Sequence, residues 1–581
     1  MMQHYRYTHT GTVATTGYFS AEPDPFPDFT TALHYIVEHP LDDFMRRHLI
    51  RRMTALHAEE IQAAFASAFP TGDLPPPAAA LAEELALLNP DLPEPPHTGE
   101  DKHREESNSP LVLLRWRKLP DRELHRRWGE FFNANIQGHR ALKSPEESGL
   151  PPLYPDRFED CIGSSSPGLG HAFLQAFPVR LEDLHDKYKA RQADRAYERP
   201  PSEETAARAE ERLRSLDIIA GQEMRHTASL SPIALLRPWN IRLTVRQGRH
   251  DYSLEGQATT YGRGLALSDA RASCLMEMVE RASAYLSINQ EQILHRAQPK
   301  PIVSGCRSAI MKSHGNAIDP NDYPLEVPYS DEFLVWTEGT THDGSKVCIP
   351  VQMAALFCNL DEIALYDSPG STGIATGCSM EEAKVAALLE ILERDAEATT
   401  PFHKSSCFRL ELEPEDDPLV HTLFADYAAR GINVQFQKIT GPMGVPVYKC
   451  FVMSAKGVVS RGHGAGLSAK RALVSAMTET PFPYPDGGPS GPMLRKLPAV
   501  RLRDLPDYSL YRPEENLAML EELFCANGRP PVYLDLTHEA LKFPVVRALV
   551  PGMELAADRD SFSRIPYRLW RKYREFCPEK A

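Results

Sequence analysis

One pattern occurs three times in this chain and constrains its fold more than any other feature. It is a Gly, an Ala six residues later, and a Glu seven residues after that. The copies are Gly264–Ala270–Glu277, Gly377–Ala383–Glu390 and Gly466–Ala472–Glu479. The first two continue identically as Glu-x-x-Glu-Arg, giving Glu277, Glu280 and Arg281, then Glu390, Glu393 and Arg394. The third keeps only Glu479, because Pro481 ends its helix and Phe482 and Pro483 fill the remaining places. In a helix, positions i, i+3 and i+7 share a face. Ala270, Glu277 and Glu280 therefore align, as do Ala383, Glu390 and Glu393. Ala272, Leu275, Met276 and Val279 form a separate apolar face in the first helix, and Val385, Leu388, Leu389 and Leu392 do so in the second. Each helix can rest its apolar side on a sheet and turn paired carboxylates into a cleft, with the Ala one level earlier leaving room beside them. Ser379 and Glu382 predict a capping box, Ser268 and Asp269 a cap with a favourable charge, and Ser468 a cap for the third helix.

If Glu277, Glu280, Glu390, Glu393 and Glu479 converge, their repulsion is large. Two unit charges about 4 Å apart cost on the order of 4 kcal/mol at an effective dielectric of about 20. Either some carboxylates hold protons or divalent cations neutralise them. Carboxylate oxygens suit Mg2+, which keeps waters and bridges to phosphates. Five carboxylates with two arginines thus point to a nucleotide held through metal ions, with Arg281 and Arg394 on phosphate or orienting the carboxylates. No Gly-x-x-x-x-Gly-Lys-Ser/Thr occurs, so such a site is not a P-loop. The competing reading is a duplicated scaffold whose carboxylates pair only with Arg281 and Arg394.

At 581 residues the chain is too long for one ordinary core. The net charge of −15 argues against general nucleic-acid binding. No run of eighteen apolar residues predicts a membrane span, and the first residues lack an apolar signal core, so a cytoplasmic protein is expected. None of the ten cysteines pair as Cys-x-x-Cys, which favours reduced thiols over a structural zinc site.

Helical periodicity marks 1–72 as a helical N-terminal segment. Residues 73–110 are a proline-rich, charged connector with one short helix at Ala78–Leu88. Residues 111–221 are helix-rich, with a boundary expected near 198–222. The stretch 163–171 has loop composition. From 222 to 575 the pattern is α/β (α+β): strands are expected at 240–248, 332–340, 347–353, 434–439, 445–453, 531–536 and 543–550, with the acidic helices between them. The unequal spacing of the repeats indicates duplicated strand–helix units rather than a solenoid. Cys378 before a helix, His463 in Gly-His-Gly, and the basic–aromatic segments 114–118 and 123–128 are secondary candidates for a nucleophile, a site residue and a partner groove.

Residues about 222–575 resemble the YcaO family. The resemblance is carried by GRGLALSDARASCLMEMVER (262–281), STGIATGCSMEEAKVAALLEILERDA (371–396), GHGAGLSAKRALVSAMTE (462–479) and VYLDLTHEALKFPVVRALVPGME (532–554). It implies an ATP- and Mg2+-dependent enzyme that phosphorylates the oxygen of a peptide backbone amide. A neighbouring Cys, Ser or Thr then gives an azoline, and a sulfide source gives a thioamide. By position, the resemblance assigns Glu277, Glu280, Glu393 and Glu479 to metal. It assigns Arg281, Glu382, Glu390, Arg394 and Arg225 to the nucleotide. It also implies a peptide or protein substrate and a sulfur-delivery or substrate-recognition partner, with leader recognition, partner binding or homodimerisation as roles for the N-terminal residues. The chain departs from the family pattern at Ser475, where an Arg is found, at Cys378, and in lacking a Pro-x-Pro-x-Pro tail, which favours thioamidation over azoline formation. A nucleotide-binding scaffold that presents a peptide to a partner enzyme is the alternative.

Overall fold

The computed structural model describes residues 2–10, 18–89, 91–92, 111–119, 121–154, 171–193, 195, 197–356, 359–366, 370–555 and 559–577. Of the connector expected at 73–110, residues 93–110 lie outside them, as do residues 163–170 of the loop expected at 163–171. The architecture is mixed α/β, with three sheets and many helices. In the first sheet the spatial order is Tyr18–Pro23, Gln3–Thr10, Asp251–Gly264, Ile233–Arg246 and Met224–Arg225. The second runs Ile374–Thr376, Val545–Leu549, Val532–Asp535, Leu334–Thr341, Lys300–Gly305 and Gln292–Ile293, with Lys346–Pro350 also paired to Leu334–Thr341. The third runs Val459–Ala465, Val447–Met453, Gln435–Lys438, Cys407–Glu411 and Ala499–Arg501.

Each copy of the repeat is one strand–turn–helix unit, and each unit belongs to a different sheet. Strand Asp251–Gly264 leads into helix Leu267–Ala284, Ile374–Thr376 into Met380–Thr399, and Val459–Ala465 into Ala469–Glu479. The conserved-spacing glycines and alanines mark where each strand meets its own helix. A Cβ on the repeat's Gly377 would lie 2.6 Å from the Ala383 nitrogen. In the third unit the tightest contact falls two residues before the repeat's Gly466, where a Cβ on Gly464 would lie 2.6 Å from the Ala476 nitrogen and collide with the Ala472 carbonyl. Ala270, Ala383 and Ala472 are fully buried in these contacts. The alanines thus permit close strand–helix packing instead of leaving space beside the carboxylates. Each repeat helix also leans on the strand of the next unit: 267–284 on 374–376, 380–399 on 459–465, and 469–479 back on 251–264. The three units therefore close a ring.

Two sequence expectations change. The segment 1–72 is helical only from residue 29; Gln3–Thr10 and Tyr18–Pro23 are strands, and the first pairs in parallel with Asp251–Gly264. Tyr5 and Tyr7 turn into the core while His4 and Arg6 face out, the two-residue alternation of a half-buried strand. The expected strand 347–353 ends at Pro350, and Val351–Ala354 turn into a short helix. The helix at Pro76–Leu88 packs with the helices at Phe29–Glu38, Asp43–Met53 and Ala58–Ala68 in one apolar cluster.

The basic–aromatic segments serve packing. Arg115 is buried and pairs with Glu326 at 2.9 Å and Asp560 at 2.7 Å. Trp128 is fully buried, edge-on to Trp570 at 4.8 Å, and donates to the Pro151 carbonyl. This ties Arg122–Ile136 to the C-terminal helix Tyr567–Phe576, while Arg117, Glu123 and Arg127 stay exposed. Among the described residues, no helix is long and apolar enough to cross a membrane.

Candidate nucleotide and metal site

The second repeat helix has Ala, Leu and Glu throughout, all strong helix formers, and two acids in its first turn facing the positive end of its dipole. Ser379 caps it by accepting from the Glu382 amide at 3.2 Å. Glu382 closes the turn differently from a capping box: its carboxylate accepts from the Cys378 amide at 2.9 Å and pairs with Arg199. Replacing Ser379 with Ala is expected to lower stability by about 1 kcal/mol, read from the denaturant midpoint. The other two caps differ from expectation. The first helix starts at Leu267 after Ala266, so Ser268 and Asp269 fall inside its first turn, and Asp269 accepts from Ser202 instead. Ser468 occupies the N-cap position of the third helix without a side-chain cap bond.

The ring brings the five repeat carboxylates together. Glu277 accepts from the Tyr261 amide at 2.9 Å, and Glu390, its counterpart one unit on, accepts from the Gly373 amide at 3.1 Å. Within the first helix, Arg281 stands 3.4 Å from Glu277 and 3.0 Å from Glu280. In the second, Arg394 stands 3.9 Å from Glu390 and 3.5 Å from Glu393. Interactions then cross between units. Glu280 feels Glu390 of the second helix, Glu393 feels Glu479 of the third, and Glu479 lies 3.7 Å from Arg263 on the first strand.

Burial, against the pull of Arg281 and with repulsion from Glu390 and Glu277, pushes Glu280 up to about 8. Burial likewise lifts Glu393 to about 8, against Arg394 and with repulsion from Glu479 and Glu390. Glu390 is also raised, chiefly by burial, although Arg394 and Arg281 oppose it. Burial thus favours the protonated form of these carboxyls in the ligand-free protein, and a bound cation would favour the charged form.

Several partners were not marked by the repeat. Glu397, one turn beyond Glu393, lies 3.2 Å from Arg394; burial opposes its ionisation, yet His463, Arg394 and Arg461 hold it down at about 2. Burial keeps His463 neutral by lowering it to about 3, so the standing charge partners of Glu397 are the two arginines. His463 is a buried structural neighbour of the cluster, with Nδ1 3.6 Å from Glu397. Arg547, on strand Val545–Leu549, reaches the carbonyls of Met353 and Gly370 at 3.1 and 3.0 Å. Burial lowers it to about 10 against the attraction of Tyr366, Glu390 and Glu280.

Two of the expected residues stay outside this cluster. Glu382 sits at the start of its helix, two turns from Glu390, in the turn described above. Arg225 lies exposed on the edge strand Met224–Arg225 near Tyr484 and, among the described residues, makes no ion pair. Cys378 is half-buried, with Sγ 3.8 Å from the Thr205 hydroxyl.

The donor set fits a metal–phosphate ligand better than a bare ion. Among the described residues, no three His, Cys, Asp or Glu side chains are grouped to hold a metal ion by themselves. Mg2+ commonly takes one or two carboxylates and completes its shell with waters and phosphate oxygens. Arg281 Nη1 is buried 3.0 Å from Glu280, which sets a guanidinium that can meet an anionic oxygen directly beside the carboxylates.

Residues 261–481 match the family model described as YcaO cyclodehydratase, ATP- and Mg2+-binding. The chain resembles the YcaO family. This stretch covers all three copies of the Gly–Ala–Glu repeat. An uncharacterised protein of Methanothermobacter thermautotrophicus is 24% identical over 357 residues, covering 55% of this chain and 86% of its own. A solved heterocyclase in complex with substrate and cofactor aligns with a TM-score of 0.48 at 16% identity, over 65% of this chain; this chain spans 56% of its length. YcaO from Methanopyrus kandleri, bound with AMPPCP and Mg2+, aligns with a TM-score of 0.43 at 21% identity, over 61% of this chain and 91% of its own.

Proposed function

We propose that this protein is an ATP- and Mg2+-dependent enzyme that activates a peptide backbone amide by phosphorylating its oxygen. The observation that carries the reading is the buried cluster of repeat carboxylates and arginines, lying within the stretch that matches an ATP- and Mg2+-binding family model. In this reading Glu277, Glu280, Glu393 and Glu479 hold Mg2+, while Arg281 and Arg394, oriented by the same carboxylates, hold phosphate oxygens. Glu390, 3.9 Å from Arg394 and attracted by Arg281, belongs to the nucleotide side of the site. Glu382 keeps the start of the second helix in place. When bound, Mg2+–ATP supplies the phosphoryl group and screens the surplus negative charge. An amide is a poor electrophile, and its phosphorylated oxygen is a good leaving group. A neighbouring Cys, Ser or Thr side chain would then give an azoline, and sulfide from a partner protein a thioamide; the substrate is a peptide or protein.

The test is ADP release by the purified protein with candidate peptides, followed by mass analysis of the peptide. Expected are turnover that rises with peptide, stops on chelation of Mg2+, and is accompanied by loss of water from the peptide or exchange of oxygen for sulfur. ATP binding with no ADP release and an unchanged peptide would instead establish a nucleotide-binding scaffold.

A further inference from the structure

A cavity lies away from the acidic cluster. It encloses about 530 Å3 between Phe173 and Gln175–Phe177, the C-terminal helix, Thr399 and Thr400 at the end of the second repeat helix, and the turn at 440–442. Asp395 and Thr399 lie on the opposite side of that helix from Glu390, Glu393 and Arg394, so the helix itself separates the two sites. The walls are largely apolar, with Phe173, Phe177, Tyr567 and Pro442 among them. The charged groups come from one face of the C-terminal helix: Arg568, Arg571, Lys572 and Glu575 recur at i, i+3, i+4 and i+7.

Arg568 is neutralised by Asp395 at 2.6 Å. Arg571 is exposed and, among the described residues, makes no ion pair. Lys572 stands 3.9 Å from Glu575, a loose contact between partly exposed groups. Two cations thus face one carboxylate at the mouth of an apolar cavity, on a chain whose net charge is −15. The volume falls within the range of about 300–1,000 Å3 typical of small-molecule sites, which pair apolar walls with a few polar groups that fix orientation.

We propose that this cavity binds a small aromatic carboxylate, its ring between Phe173, Phe177 and Tyr567 and its carboxylate on Arg571 and Lys572. An apolar body fills the walls, and the charge selects anions over neutral analogues of the same shape. The site stands independently of the ATP reading.

Calorimetric titration of the full chain with indole-3-acetate and with its uncharged amide, indole-3-acetamide, tests the assignment. The acid is expected to bind about tenfold tighter than the amide or better, the yield of a charge-assisted contact. The double variant Arg571→Glu/Lys572→Glu, changed only at the rim, is expected to lose that preference, and Glu575→Lys to tighten the acid. Glu393→Gln is expected to leave the acid's affinity unchanged. Equal binding of acid and amide, binding of neither, an unaltered preference in the double variant, or a weakened acid in Glu393→Gln overturns the proposal. Loss of ATP turnover in Glu393→Gln bears only on the other site.

Discussion

Glu393→Gln is expected to lower ATP turnover by about a hundredfold or more, and at the same time to stabilise the ligand-free protein at pH 8. Both effects follow from one carboxylate that is 10% exposed and raised to about 8. A hundredfold loss corresponds to about 2.7 kcal/mol of transition-state stabilisation, the size expected when one group that stabilises transferring charge is removed from a water-poor site. For stability, the sign follows from proton counting. Below the ordinary carboxylate pKa near 4.5, folded and unfolded chains are both protonated at Glu393. Between there and about 8, the unfolded chain gives up its proton while the folded chain keeps it, so stability falls as pH rises, by about 1.4 kcal/mol per pH unit for one such group. Above about 8 the loss is complete. Glu280, also raised to about 8, adds the same trend. Glu397, held near 2, acts in the opposite sense: its contribution is present above the ordinary range and lost as pH falls toward 2. Glutamine removes the Glu393 share of the slope. Thermal unfolding from pH 5 to 8 should therefore show a flatter profile for the variant, and added Mg2+ should stabilise wild type at pH 8 more than the variant. Parallel pH profiles, or turnover within about tenfold of wild type, would contradict this account.

What the sequence disclosed depended on period. Glu-x-x-Glu-Arg at helical spacing, followed by a helix-ending Pro481, identified the carboxylate faces, and these residues do meet in the folded chain. The groups that join them from strands carried no such mark. Arg547 interrupts an apolar run that speaks only of a buried strand, and its neighbours Met353 and Gly370 are distant in the chain. Arg263 sits beside a glycine of the repeat but faces a carboxylate of a different unit. Glu397 lies on the same helical face, three residues beyond Arg394, but outside the doubled motif. At the N-terminus, the alternation of Tyr5 and Tyr7 with His4 and Arg6 signalled a strand, but the longer helical periodicity after residue 29 dominated the segment. Arg225 shows a different limit: its exposed position follows from strand register, which local sequence fixes weakly for so short an edge.

Gly464→Ala is expected to destabilise the protein by about 3 kcal/mol and, through the same displacement, to lower turnover. The added methyl meets the Ala472 carbonyl and lies 2.6 Å from the Ala476 nitrogen. Both are backbone atoms of the third repeat helix, so no side-chain rotation relieves the clash and the helix must move off its sheet. Overpacking against well-packed backbone commonly costs about 1–3 kcal/mol, and this contact belongs at the upper end because two successive turns are struck. The displacement reaches the site because the third helix ends at Glu479, which interacts with Glu393 and Arg263 of the other two units. A ring of three units has no slack at one joint that leaves the other two untouched. Gly488→Ala is the control: a methyl there meets nothing within 4 Å, and a change within about 0.5 kcal/mol is expected. Denaturant midpoints and ADP release measured on both variants separate the outcomes. Equal stability of the two variants would show that the strand–helix contact is not close-packed, and loss of stability without loss of turnover would show that Glu479 is not part of the working site.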